Sequence, residues 1–327
     1  MRVLIPNPEN IARAAEVLRV GDLVGMPTET VYGLAGDAQS DHAVTKIFAA
    51  KGRPQKNPLI IHLPDADAAM KYGEFNDAAR AFASVFWPGP LTLVVPQSMT
   101  ARHQISSAAT AGLSTIALRV PMHPTAQELL RDFGGPIAAP SANRSGELSP
   151  TEVAHVAAAF VDQNQPKIIL AGGRAAAGLE STIVACTHDA PRILRPGSIT
   201  HEQLRAVMAE ILPFQSTPAD ENAGPTAPGQ MFQHYAPRTP MRLNARDVAA
   251  DETLLAFGPE LPWMRTAKFT LNLSPSGDLT EAAHNLFSHL HALDSHHART
   301  IAVMPVPAEG LGLAIADRLM RAATPAG

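Results

Sequence analysis

Only one of the 327 residues is a cysteine, Cys186, which excludes an internal disulfide and any zinc or iron–sulfur site built from several thiolates. Charged residues are sparse at 17% and aromatics at 5%, whereas hydrophobic residues reach 46%, the balance of a globular rather than a disordered chain. A basic excess is also lacking. The formal net charge is −4, which disfavours a protein whose main task is to coat nucleic acid but leaves room for a local basic site. No apolar run approaches the length of a membrane span, and "MRVLIPNPEN" carries no signal-peptide apolar region, so the expectation is a cytoplasmic protein. GxSxG, HExxH, the P-loop GxxxxGK[ST] and a GxGxxG after a strand are all missing. Without a visible covalent nucleophile, the chemistry falls to positioning and charge stabilisation.

What is present is a mixed α/β pattern. Asn7 and Pro8 open a helix with Ile11, Ala14, Ala15 and Leu18 on one face, and Gly21 ends it. A second helix spans about 41–51 and stops at Gly52; others are expected over 76–86, 124–132, 151–161 and 200–210. "PLIIHL", "LTLVVP" and "TIALRVP" read as buried strands, followed by "PIAAPSAN", "KIILAGG", "STIVAC" and "RILRPG". After Leu212 the composition turns to "PFQSTPADENAGPTAPGQ", a linker. The expected division is residues 1–212, a linker over 213–239, and a small Rossmann-like α/β unit over 240–327.

Two clusters stand out. "KGRPQKNP" puts Lys51, Arg53, Lys56 and Asn57 on a segment stiffened by Gly52 and Pro54, either an anion site or an ordinary solvated basic loop. "APSANRSGELSP" gathers Ser141, Asn143, Ser145 and Ser149 after a strand, either a phosphate cradle or a turn closed by local hydrogen bonds. His62 and Arg119 interrupt apolar strands. A lone His62 is more often a satisfied core histidine, but a buried Arg119 demands a partner. Ser181 and Arg195 sit at strand ends. "PTETVYGLAGDA", Pro27 to Ala38, is a strand end crowded with hydroxyls and one carboxylate, Glu29, which is read as positioning Lys51 or Arg53 or as a local cap. His284 and His291, like His289 and His296, lie two turns apart on one helix, about 10.5 Å, too far for one metal ion. These histidines are expected at the surface.

With "PTETVYGLAGDA", "KGRPQKNPLIIH", "PSAN", "STIV" and "RPG" in that order, the sequence resembles the threonylcarbamoyl-AMP synthase family, the YrdC-like proteins. "PGQMFQHYAP" and "GLGLAIADRLMRAA" look like its longer, two-domain branch. The resemblance implies a twisted open α/β sheet with a concave basic cavity, a Rossmann-like C-terminal domain, and a linker that folds over the site. It implies condensation of L-threonine, bicarbonate and ATP into threonylcarbamoyl-adenylate, with Mg²⁺ on the ATP phosphates and no dedicated metal site. It implies catalytic roles for Lys51 and Arg53. L-threonine would be read by Thr30, His62, Arg119 and Ser181, with Tyr32 packed beside Thr30. ATP would meet Arg53, Asn57, Thr115, Ala139, Ser141, Asn143, Ser149, Arg195, His234 and Tyr235. A separate threonylcarbamoyl transferase complex would consume the product at tRNA, with at most weak tRNA contact by this chain. Alanine at Lys51 or Arg53 is then expected to lower turnover and leave the thermal transition almost unchanged.

One departure is Gly33-Leu34-Ala35-Gly36 where many relatives read Gly-Leu-Gly; no catalytic group is lost by it. An RNA clamp is disfavoured by the acidic charge, and a carbamoyl-transfer maturation enzyme by the single cysteine and the length.

Overall fold

The computed structural model describes residues 1–163, 165–188, 190–214 and 235–324. The edge strand β1 (Arg2–Leu4) leads into α1 (Pro8–Arg19), whose first turn is closed by the Asn7 side chain accepting from the Asn10 amide at 2.8 Å. β2 (Val24–Met26) and β3 (Gly33–Asp37) follow, then α2 (Asp41–Lys51), capped by Ser40 and ended by Gly52 at φ 60°, a left-handed stop that suits glycine. Next come β4 (Ile60–His62), α3 (Ala66–Met70), α4 (Asp77–Phe86), β5 (Leu91–Pro96), α5 (Met99–Gln104), β6 (Thr115–Arg119) and α6 (Pro124–Phe133). The first domain closes with β7 (Ile137–Ala138), α7 (Val153–Ala159), β8 (Ile168–Leu170), β9 (Thr182–Ala185), β10 (Arg192–Arg195) and α8 (His201–Val207). The helices expected over 151–161 and 200–210 are shorter than their apolar patterns, and "PIAAPSAN" pairs as a strand only at Ile137–Ala138, because Pro140 cannot donate to a ladder.

These strands form one mixed sheet in the order β1-β8-β2-β3-β7-β4-β6-β5-β9-β10. Alternation along the strands sorts its faces. Ile61, Leu93, Val95, Ile116 and Leu118 enter the main core under the helices, where Ile199, Leu204 and Ile211 also pack. Ile60, Val94, Ala117 and Ile183 form a separate apolar patch on the opposite face. His62 and Arg119 share that second face and pair across β4 and β6.

The second domain contains β11 (Met241–Arg242), β12 (Thr253–Ala256), β13 (Phe269–Asn272), α9 (Leu279–Asp294), β14 (Ile301–Val303) and α10 (Leu311–Ala322). Its four parallel strands run β11-β14-β12-β13, a small Rossmann-like sheet. The α9 stripe of Leu286, Leu290 and Leu293 lies in its core, as the periodicity predicts.

The histidines of α9 are not simply surface groups. Gly178, at φ 71°, lies so close to the helix that a Cβ there would stand 2.4 Å from the Ala283 carbonyl oxygen. Arg174 donates to the His284 carbonyl and to Asn285 Oδ1, both at 2.9 Å. His291 Nε2 lies 3.1 Å from the Ser149 carbonyl, and its ring stacks on His155 with centroids 3.8 Å apart. Burial, then the neighbouring Arg174, lowers the His155 pKa to about 4, and burial, then His155 itself, does the same to His291. Both rings are neutral in the fold, whereas the unfolded chain takes up protons near pH 6.5. From pH 6.5 down to 4 the unfolded chain therefore binds more protons, so stability is lost on acidification through this window. Tm is therefore expected to rise with pH from about 4 to 6.5, and the H155F/H291F pair is expected to flatten that slope. An unflattened slope would assign the acid sensitivity to other groups.

Candidate active site

Pro27–Ala38 is built to aim side chains. Thr28 Oγ1 donates to the Val31 carbonyl at 2.6 Å and accepts from the Thr30 and Val31 amides at 3.2 and 3.3 Å, closing a tight turn. Thr30 Oγ1 lies 2.8 Å from Thr28 Oγ1 and faces a cavity. The chain then pairs with the "PSAN" loop: the Ala142 amide donates to Tyr32 O at 2.8 Å, and the Leu34 amide to Pro140 O at 2.7 Å. Two stretches more than a hundred residues apart thus make one wall. Tyr32 is not beside Thr30 on the cavity wall: it is buried in the main core, outside the set of residues that line the cavity. Its hydroxyl donates to Gly173 O at 2.7 Å and accepts from the Gly172 amide at 3.1 Å, and burial pushes its pKa up to about 12.

The cavity brings together nine of the sequence candidates: Thr30, Arg53, His62, Arg119, Ala139, Ser141, Ser181, Arg195 and Tyr235. Part of the lining is suited to an amino acid. Arg119 is 4% exposed and donates to Glu29 Oε1 at 2.7 Å. Glu29 therefore serves Arg119, not Lys51 or Arg53. Its Oε2 is buried without a hydrogen-bond partner among the described residues. His62 is held neutral: burial first, and then Arg119, lower its pKa to about 3. Ser181 Oγ lies 2.7 Å from Thr92 Oγ1 and accepts from Arg195 Nη2 at 3.1 Å.

The same lining carries further cations, Arg53 and Arg195. The Arg53 guanidinium donates to the Asn57 carbonyl at 3.3 Å and the Pro58 carbonyl at 3.0 Å, while burial, the largest effect, lowers its pKa to about 10. Arg195 reaches the cavity through a register shift between Ile193 and Arg195, a bulge that overrides simple alternation. Among the described residues the cavity wall thus holds three guanidinium groups against the one carboxylate of Glu180.

Other candidates are not on this wall. Lys51 is 3% exposed, and its ammonium donates to the carbonyls of Ser141 at 2.6 Å and Asn143 at 2.5 Å, so it holds the "PSAN" loop from behind. Burial is the main force lowering its pKa. The buried Asn143 amide donates to the carbonyls of Arg144 and Glu147. Ser149 donates to Glu180 Oε1, and Asn57 supplies the carbonyl under Arg53. Thr115 shares the sheet face of Arg119 but sits four residues along β6, about 13 Å away. It lines a second depression with Val94, Arg102, His188 and Arg192. His234 and most of the 213–239 linker lie outside the described residues.

Sequence reasoning passed over Glu180 and Arg318. The first has a faint signal as the carboxylate directly before "STIV". Arg318 has a clearer one. It occupies the apolar stripe of α10 with Ala314, Ile315 and Ala322, where a cation needs a partner.

Residues 16–197 match the Sua5–YciO–YrdC family model, described as "Telomere recombination", and residues 199–324 match that of "Threonylcarbamoyl-AMP synthase, C-terminal domain". The chain is 38% identical to the threonylcarbamoyl-AMP synthase of Bacillus subtilis over 98% of this chain and 94% of that protein. It is 38% identical to that of Pyrococcus abyssi over 94% and 92%, respectively. The crystal structure of P. abyssi Sua5 complexed with L-threonine matches with a TM-score of 0.87 at 33% identity, covering 98% of this chain and 96% of that one.

Proposed function

Because the chain belongs to the Sua5–YciO–YrdC family, in its two-domain threonylcarbamoyl-AMP synthase form, we propose that its cavity joins L-threonine, bicarbonate and ATP. The observation that carries the reading is one cavity lined by Thr30, His62, Arg119 and Ser181 together with Arg53, Ser141 and Arg195. The first group suits an amino acid and the second a nucleotide. In a relative matched over nearly the full length, the complex is with L-threonine.

The threonine nitrogen forms a bond to the bicarbonate carbon, and water leaves. A carbamate oxygen then attacks the α-phosphorus of ATP, the α–β anhydride bond breaks, and pyrophosphate departs. Bicarbonate, carbamate and triphosphate are anions, so bringing them together needs fixed cations at low dielectric. Arg53 and Arg195 supply them at the nucleotide end. Arg119, its charge partly balanced by Glu29, receives the threonine carboxylate. Neutral His62 adds no competing charge. Ser141 approaches the phosphates, and Tyr235 closes the cavity wall.

Mg²⁺ enters with the nucleotide in this reading. Among the described residues no group of three or more His, Cys, Asp and Glu side chains lies together, and Glu180 is engaged with Ser149 and Arg318. The ion would be held by the phosphate oxygens and water, and would supply charge neutralisation on the triphosphate. The product is a mixed anhydride that water would destroy, which gives an enclosed site its purpose. Its consumer is a transferase that modifies adenosine beside the tRNA anticodon. No helix among the described residues is long and apolar enough to cross a membrane.

Purified protein with all three substrates is expected to release pyrophosphate in a threonine-dependent way and to form the adenylate, identified by mass. Folded wild-type protein that releases none would sink the reading. Arg53→Ala is expected to lower kcat/KM for ATP by about a hundredfold, the scale of losing one charged stabilising group. ATP kinetics unmoved by that change would remove Arg53 from the nucleotide end.

A further inference from the structure

Arg318 belongs to the second domain, yet its guanidinium ends at the first domain's cavity. The side chain is 0% exposed. Nε donates to Glu180 Oε2 at 2.8 Å, Nη1 to Asp317 Oδ2 at 2.6 Å, and Nη2 to the Pro196 carbonyl at 2.9 Å. Its Cζ stands 5.1 Å from the centroid of the Tyr235 ring, a cation–π contact. Glu180, Tyr235 and Arg195, the neighbour of Pro196, all line the cavity. Tyr235 adopts φ 69°, a left-handed conformation that a bulky residue keeps only when its surroundings hold it. Arg318 on one side and Phe287 of α9, with ring centroids 5.6 Å apart, provide that hold.

The charges explain why a buried arginine is useful here. Glu180 is a buried carboxylate in a cavity that must attract anions. Both its oxygens are turned toward other partners, Oε1 to Ser149 and Oε2 to Arg318. Arg195 hydrogen-bonds to Ser181 instead, at 2.8 Å to the carbonyl and 3.1 Å to the hydroxyl. If Arg318 were lost, the nearest remedy for Glu180 would be to pair with Arg195 and cancel a cation of the nucleotide end.

We propose that Arg318 is a positioning residue for nucleotide binding: it draws Glu180 away from Arg195, leaving that cation to the ATP phosphates, and it seats the Tyr235 ring. The second domain thereby completes the electrostatics of the first domain's cavity. This rests on the adenylate-forming reading above.

The test compares R318M with the double variant R318M/E180Q. ATP affinity is measured by calorimetry with a non-hydrolysable analogue, alongside KM for each substrate. R318M is expected to weaken ATP binding about tenfold, the scale of a lost charge-assisted contact. KM for threonine should stay within about twofold. Neutralising Glu180 in the same chain should restore most of the ATP affinity. A purely structural role predicts the opposite, a double variant at least as impaired as the single one, and that result overturns the proposal. So does ATP affinity unchanged in R318M. If R318M does not fold, R318K and R318K/E180Q carry the same comparison with a smaller expected loss and the same two overturning results. Wild-type turnover separates the claims: an inactive wild type refutes the adenylate-forming reading, whereas an active wild type with unresponsive variants refutes the role of Arg318 alone.

Discussion

Arg119→Ala is expected to lower kcat/KM for threonine by about a thousandfold and to destabilise the fold in the same step. The two effects have one cause. Arg119 and Glu29 form an ion pair with side chains only 4% and 6% exposed. Removing the cation leaves a carboxylate in the interior, for which breaking a buried pair costs about 3–5 kcal/mol. The threonine carboxylate loses its counter-charge as well, and each 1.36 kcal/mol lost from the transition state is about tenfold in rate. The effects are separable. R119A/E29Q should recover much of the thermal stability, because no unpaired charge remains, but none of the activity. Arg119→Lys should keep part of the stability and little of the activity, since an ammonium cannot reproduce the guanidinium geometry. Melting curves and threonine KM values check this. A KM for threonine within threefold of wild type in Arg119→Ala would remove Arg119 from the amino-acid end.

Lys51→Met is expected to reduce turnover by about two orders of magnitude, and Tm should fall with it. Sequence reasoning alone expects activity to fall while the thermal transition stays put, as for a cation on a loop facing substrate. The structure reverses the second half. The ammonium bridges the carbonyls of Ser141 and Asn143 behind the cavity wall. Methionine offers no donor, so two buried carbonyls lose their partner at about 1–3 kcal/mol each. Relief from burying a charge offsets part of this, and a net loss of about 2–4 kcal/mol is expected. The rate falls because Ser141 shifts with its loop. Calorimetric unfolding beside a turnover assay decides between the roles: lost activity with an unchanged Tm would mean that the ammonium acts on the ligand directly.

Arg53 and Lys51, two residues apart on one loop, show how far local pattern reaches. The segment that carries them was legible because its signals are short-range: a helix stopped by Gly52 and an extended step before Pro54. Which of the two cations faces the cavity was not legible. That depends on where a loop ninety residues later lays its carbonyls, and the structure sends Lys51 to them and Arg53 to the wall. The same holds for Thr115 and Arg119. Alternation puts both on one face of β6, but the neighbouring strands divide that face into two depressions. His291 looked like a surface histidine because a helix wheel shows which side is apolar and not what docks against the other.

The sequence by itself determined the α/β class, the helix starts and stops, the basic and hydroxyl-rich loops, and the family resemblance. Each of these is written in residues a few positions apart, through backbone preference and periodic burial. Only the tertiary structure decided the pairings that tune the cavity: Glu29 with Arg119, Lys51 with the "PSAN" carbonyls, and Glu180 with Arg318 across the two domains. A buried charge must find an opposite charge or a carbonyl wherever the chain brings one. In a ten-stranded sheet with crossed strand order, that partner lies about a hundred residues away or more, beyond any local pattern.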